Sequence, residues 1–164
     1  MIPKEIDRNR FDRQMMGILE STQARVTSTG SNIVAINDIV LTFLETNCVG
    51  TRILTNVTGE EQVRLMIQRI KEYSTPLPSR GTTKEIIYTK GARQLLNAAE
   101  TESKKSGFRT VGSDYFLVGL ITYFDKSAYP PFKNITLTKE SVVDEITRRF
   151  QEAKRRSTSN HPPS

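Results

Sequence analysis

The chain carries one histidine, His161, and one cysteine, Cys48. His161 lies in the Ser157–Ser164 end, so no Ser–His or Cys–His nucleophile pair is available within the body. Zinc held by cysteine and histidine is excluded on the same count. Lys126-Ser127 follows Gly119, but the spacing is wrong and a second glycine is missing, so this is not a phosphate-cradling loop. Glu60-Glu61 and Glu100 with Glu102 are carboxylate pairs expected on exposed helix faces. Solvated surface charge explains them better than acid/base chemistry. Cys48 has no partner for an internal disulfide, agrees with a reducing compartment, and reads as a small, partly buried residue. No enzyme, cofactor or metal is expected.

Hydrophobic residues make up 36% of the chain and charged ones 26%, the balance of a globular protein. The length of 164 residues suits one domain, or two small units around a shared core. No stretch approaches the roughly 20 apolar residues that span a bilayer. Met1-Ile-Pro-Lys-Glu-Ile-Asp-Arg8 lacks the apolar core of a signal peptide, which gives a cytoplasmic expectation. Asn56-Val-Thr58 and Asn134-Ile-Thr136 then match glycosylation acceptors by chance. The net charge is +6, but five basic residues between Arg148 and Arg156 against Glu152 supply +4 of it. A basic end on a nearly balanced body suggests a solvated tail more than a phosphate-binding patch. A nucleic-acid-associated helical protein using that end is the alternative.

The elements behind these residues form a divergent internal repeat. Gly107 follows Gly30 by 77 positions (107 − 30). The same offset pairs Phe11 with Tyr88, Ile18 with Leu95, Leu19 with Leu96, Val34 with Val111, Ile39 with Phe116, and Phe43 with Leu120, without a gap. Apolar residues match apolar ones at helical spacing, so the two copies should pack alike.

Each copy opens with a helix, about Phe11 to Ser28 and Thr89 to Ser106. Thr89 is placed to cap its helix, and Gly30 and Gly107 to end theirs in the left-handed conformation. A more buried helix follows, about Ala35 to Thr46 and Ser113 to Phe124. Val49 to Leu54 could form a third helix. Its counterpart, Asp125-Lys-Ser-Ala-Tyr-Pro-Pro-Phe132, is barred from regular helix by consecutive prolines and is expected as a loop or single turn. Thr58 with Glu61 reads as a capping box for the closing helix of copy one, and Thr138 as the cap in copy two. The repeats span 5–73 and 87–153, joined by a linker at 74–86. Residues 154–164 have the composition of a disordered tail.

Copy two reads Tyr88-Thr-Lys-Gly-Ala-Arg-Gln-Leu-Leu-Asn-Ala-Ala-Glu100, then Gly107-Phe-Arg-Thr-Val-Gly-Ser-Asp-Tyr-Phe-Leu-Val-Gly-Leu120. This resembles the N-terminal repeat domain of Clp-type protein-unfolding ATPases, over about residues 5 to 153. The resemblance implies an all-α fold of two tandem, pseudo-symmetric four-helix repeats. It also implies a non-catalytic role in docking substrates or adaptor proteins, or in modulating a Clp ATPase or protease, as a stand-alone protein or as part of a longer one. In some relatives a glutamate in each repeat helps bind phosphorylated arginine. The corresponding positions are Asn37 and Asp114, followed by Asp38 and Tyr115 where relatives have histidine. Only Asp114 keeps a carboxylate, and an asparagine cannot supply the charge for a guanidinium partner. Asp114 can equally serve as a helix cap or first-turn acid. Tyr129 and Phe132, in the proline turn, are further candidate contact residues because apolar side chains there are expected to be partly exposed.

Overall fold

The computed structural model describes residue 3 and residues 6–73, 85–125 and 129–159. Most of the expected linker therefore lies outside the described residues. The architecture is all-α and twofold repeated. Copy one contains α1 (Arg13–Ser28), α2 (Ile36–Glu45), α3 (Val49–Thr58) and α4 (Glu60–Tyr73). Copy two contains α5 (Lys90–Lys105), α6 (Ser113–Asp125), a 3-10 turn at Pro130–Phe132, and α7 (Lys139–Ser159). The 3-10 turn stands where copy one has α3, because Pro130 and Pro131 remove two backbone donors.

The first helix of each copy is bounded by the same chemistry. Asp12 accepts the Met15 N–H at 2.8 Å, and Thr89, 77 positions on, accepts the Ala92 N–H at 3.1 Å. Each satisfies a donor that the first helical turn leaves open. At the other end Gly30 and Gly107 take φ of 83° and 86°, conformations that cost a side-chain-bearing residue energy.

Two short extended segments join the copies by exchange. In the parallel pair β1 (Ile33–Val34) and β2 (Ile87–Tyr88), the Thr89 N–H donates to the Val34 carbonyl at 3.0 Å. The symmetry-related bridge joins Phe11 to Val111, and there the Asp12 N–H donates to the Val111 carbonyl, also at 3.0 Å. Each copy's leading segment thus pairs with the other copy's inter-helix segment.

One core runs through both copies. Phe43 and Phe116 are fully buried with ring centroids 5.0 Å apart. Helix α6 is sheathed by α5, α3 and α7. Its approach to α5 depends on a missing side chain: a Cβ at Gly119 would lie 2.5 Å from the Ala99 backbone nitrogen. At Gly50 in α3 a Cβ would lie 2.8 Å from the Phe43 ring and closer still to the Ser113 carbonyl.

Three expectations need correction. Thr58 does not cap α4. It closes α3, donating its hydroxyl to the Leu54 carbonyl at 2.8 Å, and Gly59 separates the helices. The carboxylates of Glu100 and Glu102 are not on an exposed face. Glu102 is 5% exposed and pairs with Lys139 at 2.8 Å, fastening α5 to the start of α7, while Glu100 pairs with Arg10 and Lys104. The third correction concerns the basic end. Helix α7 continues to Ser159, through positions expected to be a tail. Pairs along one helix support it: Arg148 with Glu145 and Glu152, Arg149 with Glu145, and Arg156 with Glu152. Thr138 does cap α7, accepting the Ser141 N–H at 3.1 Å.

Gly119→Ala is expected to destabilise the domain by about 2–3 kcal/mol, because the new methyl must push α5 and α6 apart; thermal or urea unfolding measures it. Hydrogen bonds from Arg148, with further support from Arg149 and Asn56, hold Glu145 down to about 2 from an ordinary 4.5. A depressed carboxylate stabilises the fold above its unfolded pKa and loses that contribution as pH falls through its folded pKa. Amide exchange in the last three turns of α7 should therefore accelerate as pH drops from about 4.5 toward 2, after correction for intrinsic rates.

Candidate binding clefts at paired helix ends

Reciprocal exchange of the leading segments sets the N-terminus of each buried helix beside the N-terminus of the other copy's first helix. In this way α2 meets α5, and α6 meets α1. The expected site residues fall mainly into these two places.

At the first, Ala35, Ile36, Asn37, Thr89, Phe124 and Tyr129 line a cleft of about 340 Å³. Tyr129 stacks on Phe124 with centroids 3.8 Å apart and planes 8° from parallel, and donates its hydroxyl to Asn37 Oδ1. Burial pushes the Tyr129 phenol pKa upward, so it remains a donor. Phe132 meets both rings edge-on, at 5.1 Å from Tyr129 and 6.0 Å from Phe124. The proline turn of copy two is thus folded back as an aromatic cluster on the start of α2, with both Tyr129 and Phe132 half-buried. Asp38 is half-buried too, and one of its carboxylate oxygens, Oδ2, accepts the Ala35 N–H at 2.8 Å. Burial raises its pKa against that hydrogen bond.

At the second, Asp114 occupies the first turn of α6 beside the α1 cap Asp12. A Cβ at Gly112 would lie 2.8 Å from Asp12 Oδ2 and 2.9 Å from Asp114 Oδ1, so two carboxylates close over the bare glycine. Burial is the main cause of a raised Asp114 pKa. Its hydrogen bond from the Tyr115 N–H opposes this, and the Asp12 charge adds to it. The adjoining Ser113 hydroxyl accepts the Gly50 N–H at 2.9 Å and donates to Gln14 Oε1 at 2.7 Å, tying α3 to this end. Tyr115 is 6% exposed, its ring 5.2 Å from that of Phe108. It belongs to the core.

The residues that complete the clefts, Thr89 and Asp12, escaped the search for site residues. The 77-residue offset relates them to each other as it relates Asn37 to Asp114, which was the available signal. Chemically the clefts differ. The first offers an amide and a hydroxyl among aromatic rings. The second offers two half-buried carboxyl groups suited to a cationic side chain. Among the described residues no group of three or more histidine, cysteine or acidic side chains could hold a metal, and no helix is long and apolar enough to cross a membrane.

A double helical repeat whose copies exchange their leading segments defines a class of small all-α domain. The sequence matches the Clp repeat (R) N-terminal domain over residues 10–130, and the chain belongs to that family. Two solved structures agree on the fold. One is the N-terminal domain of the chaperone ClpD from Arabidopsis thaliana, at 15% identity and a TM-score of 0.59, covering 86% of this chain and 97% of that one. The other comes from structural investigations of a malarial protein secretion system, at 17% identity and 0.62, covering 87% and 96%. A search of curated proteins finds no match.

Asp114→Asn removes a buried charge and its repulsion from Asp12, and makes the position like Asn37. It is expected to raise the melting temperature at pH 7 by a few degrees. The raised pKa fixes the sign: the native state favours the protonated carboxyl, so the gain should be largest at neutral pH and vanish below the ordinary carboxylate range. A lower melting temperature at pH 7 would show that the ionised carboxylate is instead a needed helix-end acid.

Proposed function

We propose that this domain is a non-catalytic docking module of a Clp-type system, working in the cytoplasm, which recruits substrates or adaptors to a Clp ATPase or modulates its protease. Family membership supports a Clp-related interaction module. What supports the finer reading is the pair of symmetry-related helix-end positions, the cleft at Asn37 and the two carboxyl groups around Gly112 at Asp114. They sit at helix ends whose caps are already hydrogen-bonded, by Asp12 and Thr89, so less is left to order on docking.

The chemistry of the clefts narrows what would dock. Asp12 and Asp114 favour an arginine or lysine side chain of the partner. Asn37 is already engaged with Tyr129 and carries no charge, so this cleft lacks the carboxylate that phosphoarginine recognition uses in relatives. Asp38, with one carboxylate oxygen on the Ala35 N–H, and Tyr115, packed in the core, act as supports for the cleft residues.

Co-purification with Clp ATPase and protease subunits, each tested separately, checks the role. Association is expected at a Kd below about 100 μM, a ceiling that admits transient interfaces. Absence of association with every subunit at that concentration would count decisively against it. The cleft assignment has its own readout: Asp114→Asn should weaken binding of the captured partner while the fold gains stability, a combination that a purely structural aspartate would not produce.

A further inference from the structure

The basic end of the chain becomes a defined surface once α7 is seen to be helical through Ser159. Val142 and Ile146 seat the helix on the body, and beyond them Phe150 is 55% exposed. At 3.6 residues per turn, Arg148, Arg149, Arg155 and Arg156 fall within an arc of about 120° that borders the seated side at Arg149, and span roughly 12 Å of helix. Glu145 and Glu152 also lie within that arc and pair with Arg148, Arg149 and Arg156, so that four arginines against two carboxylates leave the face positive.

Arg149 also reaches an open groove of about 450 Å³, where it meets Arg52 of α3. The groove has apolar lining from Leu44 and Val63, and hydrogen-bonding side chains from Asn47 and Asn56. Its one acidic lining residue, Glu45, is engaged by Arg25 at 3.0 Å and Lys71 at 3.6 Å. A positive surface therefore bends from the outer face of α7 into a groove with an apolar floor.

We propose that this surface docks an acidic segment of a partner protein, with carboxylates on the α7 arginines and Arg52 and apolar side chains in the groove. The proposal rests on the reading of the domain as a protein-docking module. Charge complementarity selects an acidic partner, and the rest of the lining selects protein over nucleic acid. Glu45, Glu145 and Glu152 interrupt the positive surface, which a continuous run of phosphates would meet unfavourably, whereas spaced carboxylates can avoid them. Leu44 and Val63 give apolar residues between those carboxylates something to cover. Arginine is also enriched at protein interfaces.

The test is fluorescence anisotropy of the whole chain with a labelled peptide of alternating glutamate and leucine. Binding is expected, weakening as salt rises from about 50 to 200 mM, since exposed charges are screened over that range. Arg52→Gln with Arg149→Gln should reduce affinity about tenfold, the equivalent of about 1.4 kcal/mol. Arg155→Gln with Arg156→Gln, on an exposed helix end where folding is not at stake, should reduce it several-fold. Unchanged affinity in both double variants, no binding at low salt, or tighter binding of a single-stranded oligonucleotide than of the peptide would each overturn the proposal. The Clp co-purification separates the two readings. Intact Clp association with no peptide binding removes this surface alone, and peptide binding without Clp association removes only the Clp role.

Discussion

Backbone groups buried between two helical layers must find partners, and in this domain each repeat finds them in the other. The Val34 carbonyl receives the Thr89 N–H, and the Val111 carbonyl receives the Asp12 N–H. Because these donors belong to the helix caps, pairing the segments also fixes where α1 and α5 begin. Phe11 and Tyr88, carried on the exchanged segments, are 6% and 1% exposed. The Tyr88 hydroxyl donates to Gln23 Oε1 at 2.8 Å, across the repeat boundary. Neither copy could bury its leading aromatic ring or satisfy its inter-helix backbone alone, so the two repeats form one cooperative unit rather than two domains on a string.

The same exchange governs how the copies diverge. The third element of each repeat reaches across to the other. In copy one it is α3, whose N-terminal Gly50 lies against Ser113 of α6. In copy two it is the 3-10 turn, fastened to α4 by Arg69, which donates to the Pro131 carbonyl at 3.3 Å and the Lys133 carbonyl at 2.5 Å. Helix and turn are different solutions to one geometric demand, covering the flank of the opposite repeat. The helix needs a bare Cα to come close. The turn is already bent by its prolines and needs a long donor to hold its free carbonyls.

Much of this was legible from sequence because burial leaves a periodic trace. The offset of 77 marks both core helices of each copy and both terminating glycines, and residue type marks the Thr89 cap. Features that depend on tertiary partners left no such trace. Thr58 followed by Glu61 has the letters of a capping box, yet Gly59 gives the chain an earlier break and Thr58 bonds backward into α3. Glu102 sits on the apolar stripe of α5, which read as a surface carboxylate because its partner, Lys139, lies in another helix. The end of α7 looked like a tail because its composition is polar and charged, while its stability comes from carboxylates and arginines spaced three and four residues apart. In the clefts, Asn37 and Asp114 were found through the resemblance. Their partners Tyr129 and Asp12 come from the other repeat, and only the fold brings them together.

The two clefts show what duplication permits. Backbone and helix ends are held alike by the exchanged segments, so side chains at matching positions can change without disturbing the frame. One cleft has become an aromatic cluster sealed by a neutral hydrogen bond between Tyr129 and Asn37. The other retains two carboxylates over a glycine, an arrangement whose mutual repulsion and burial both act against the ionised state. The matching asparagine is held by Tyr129 instead, a partner that Asp114 lacks. Within the chain the Asp114 carboxylate is held by the Tyr115 N–H in the first turn of α6, and the docked cationic side chain proposed above would offset its repulsion from Asp12.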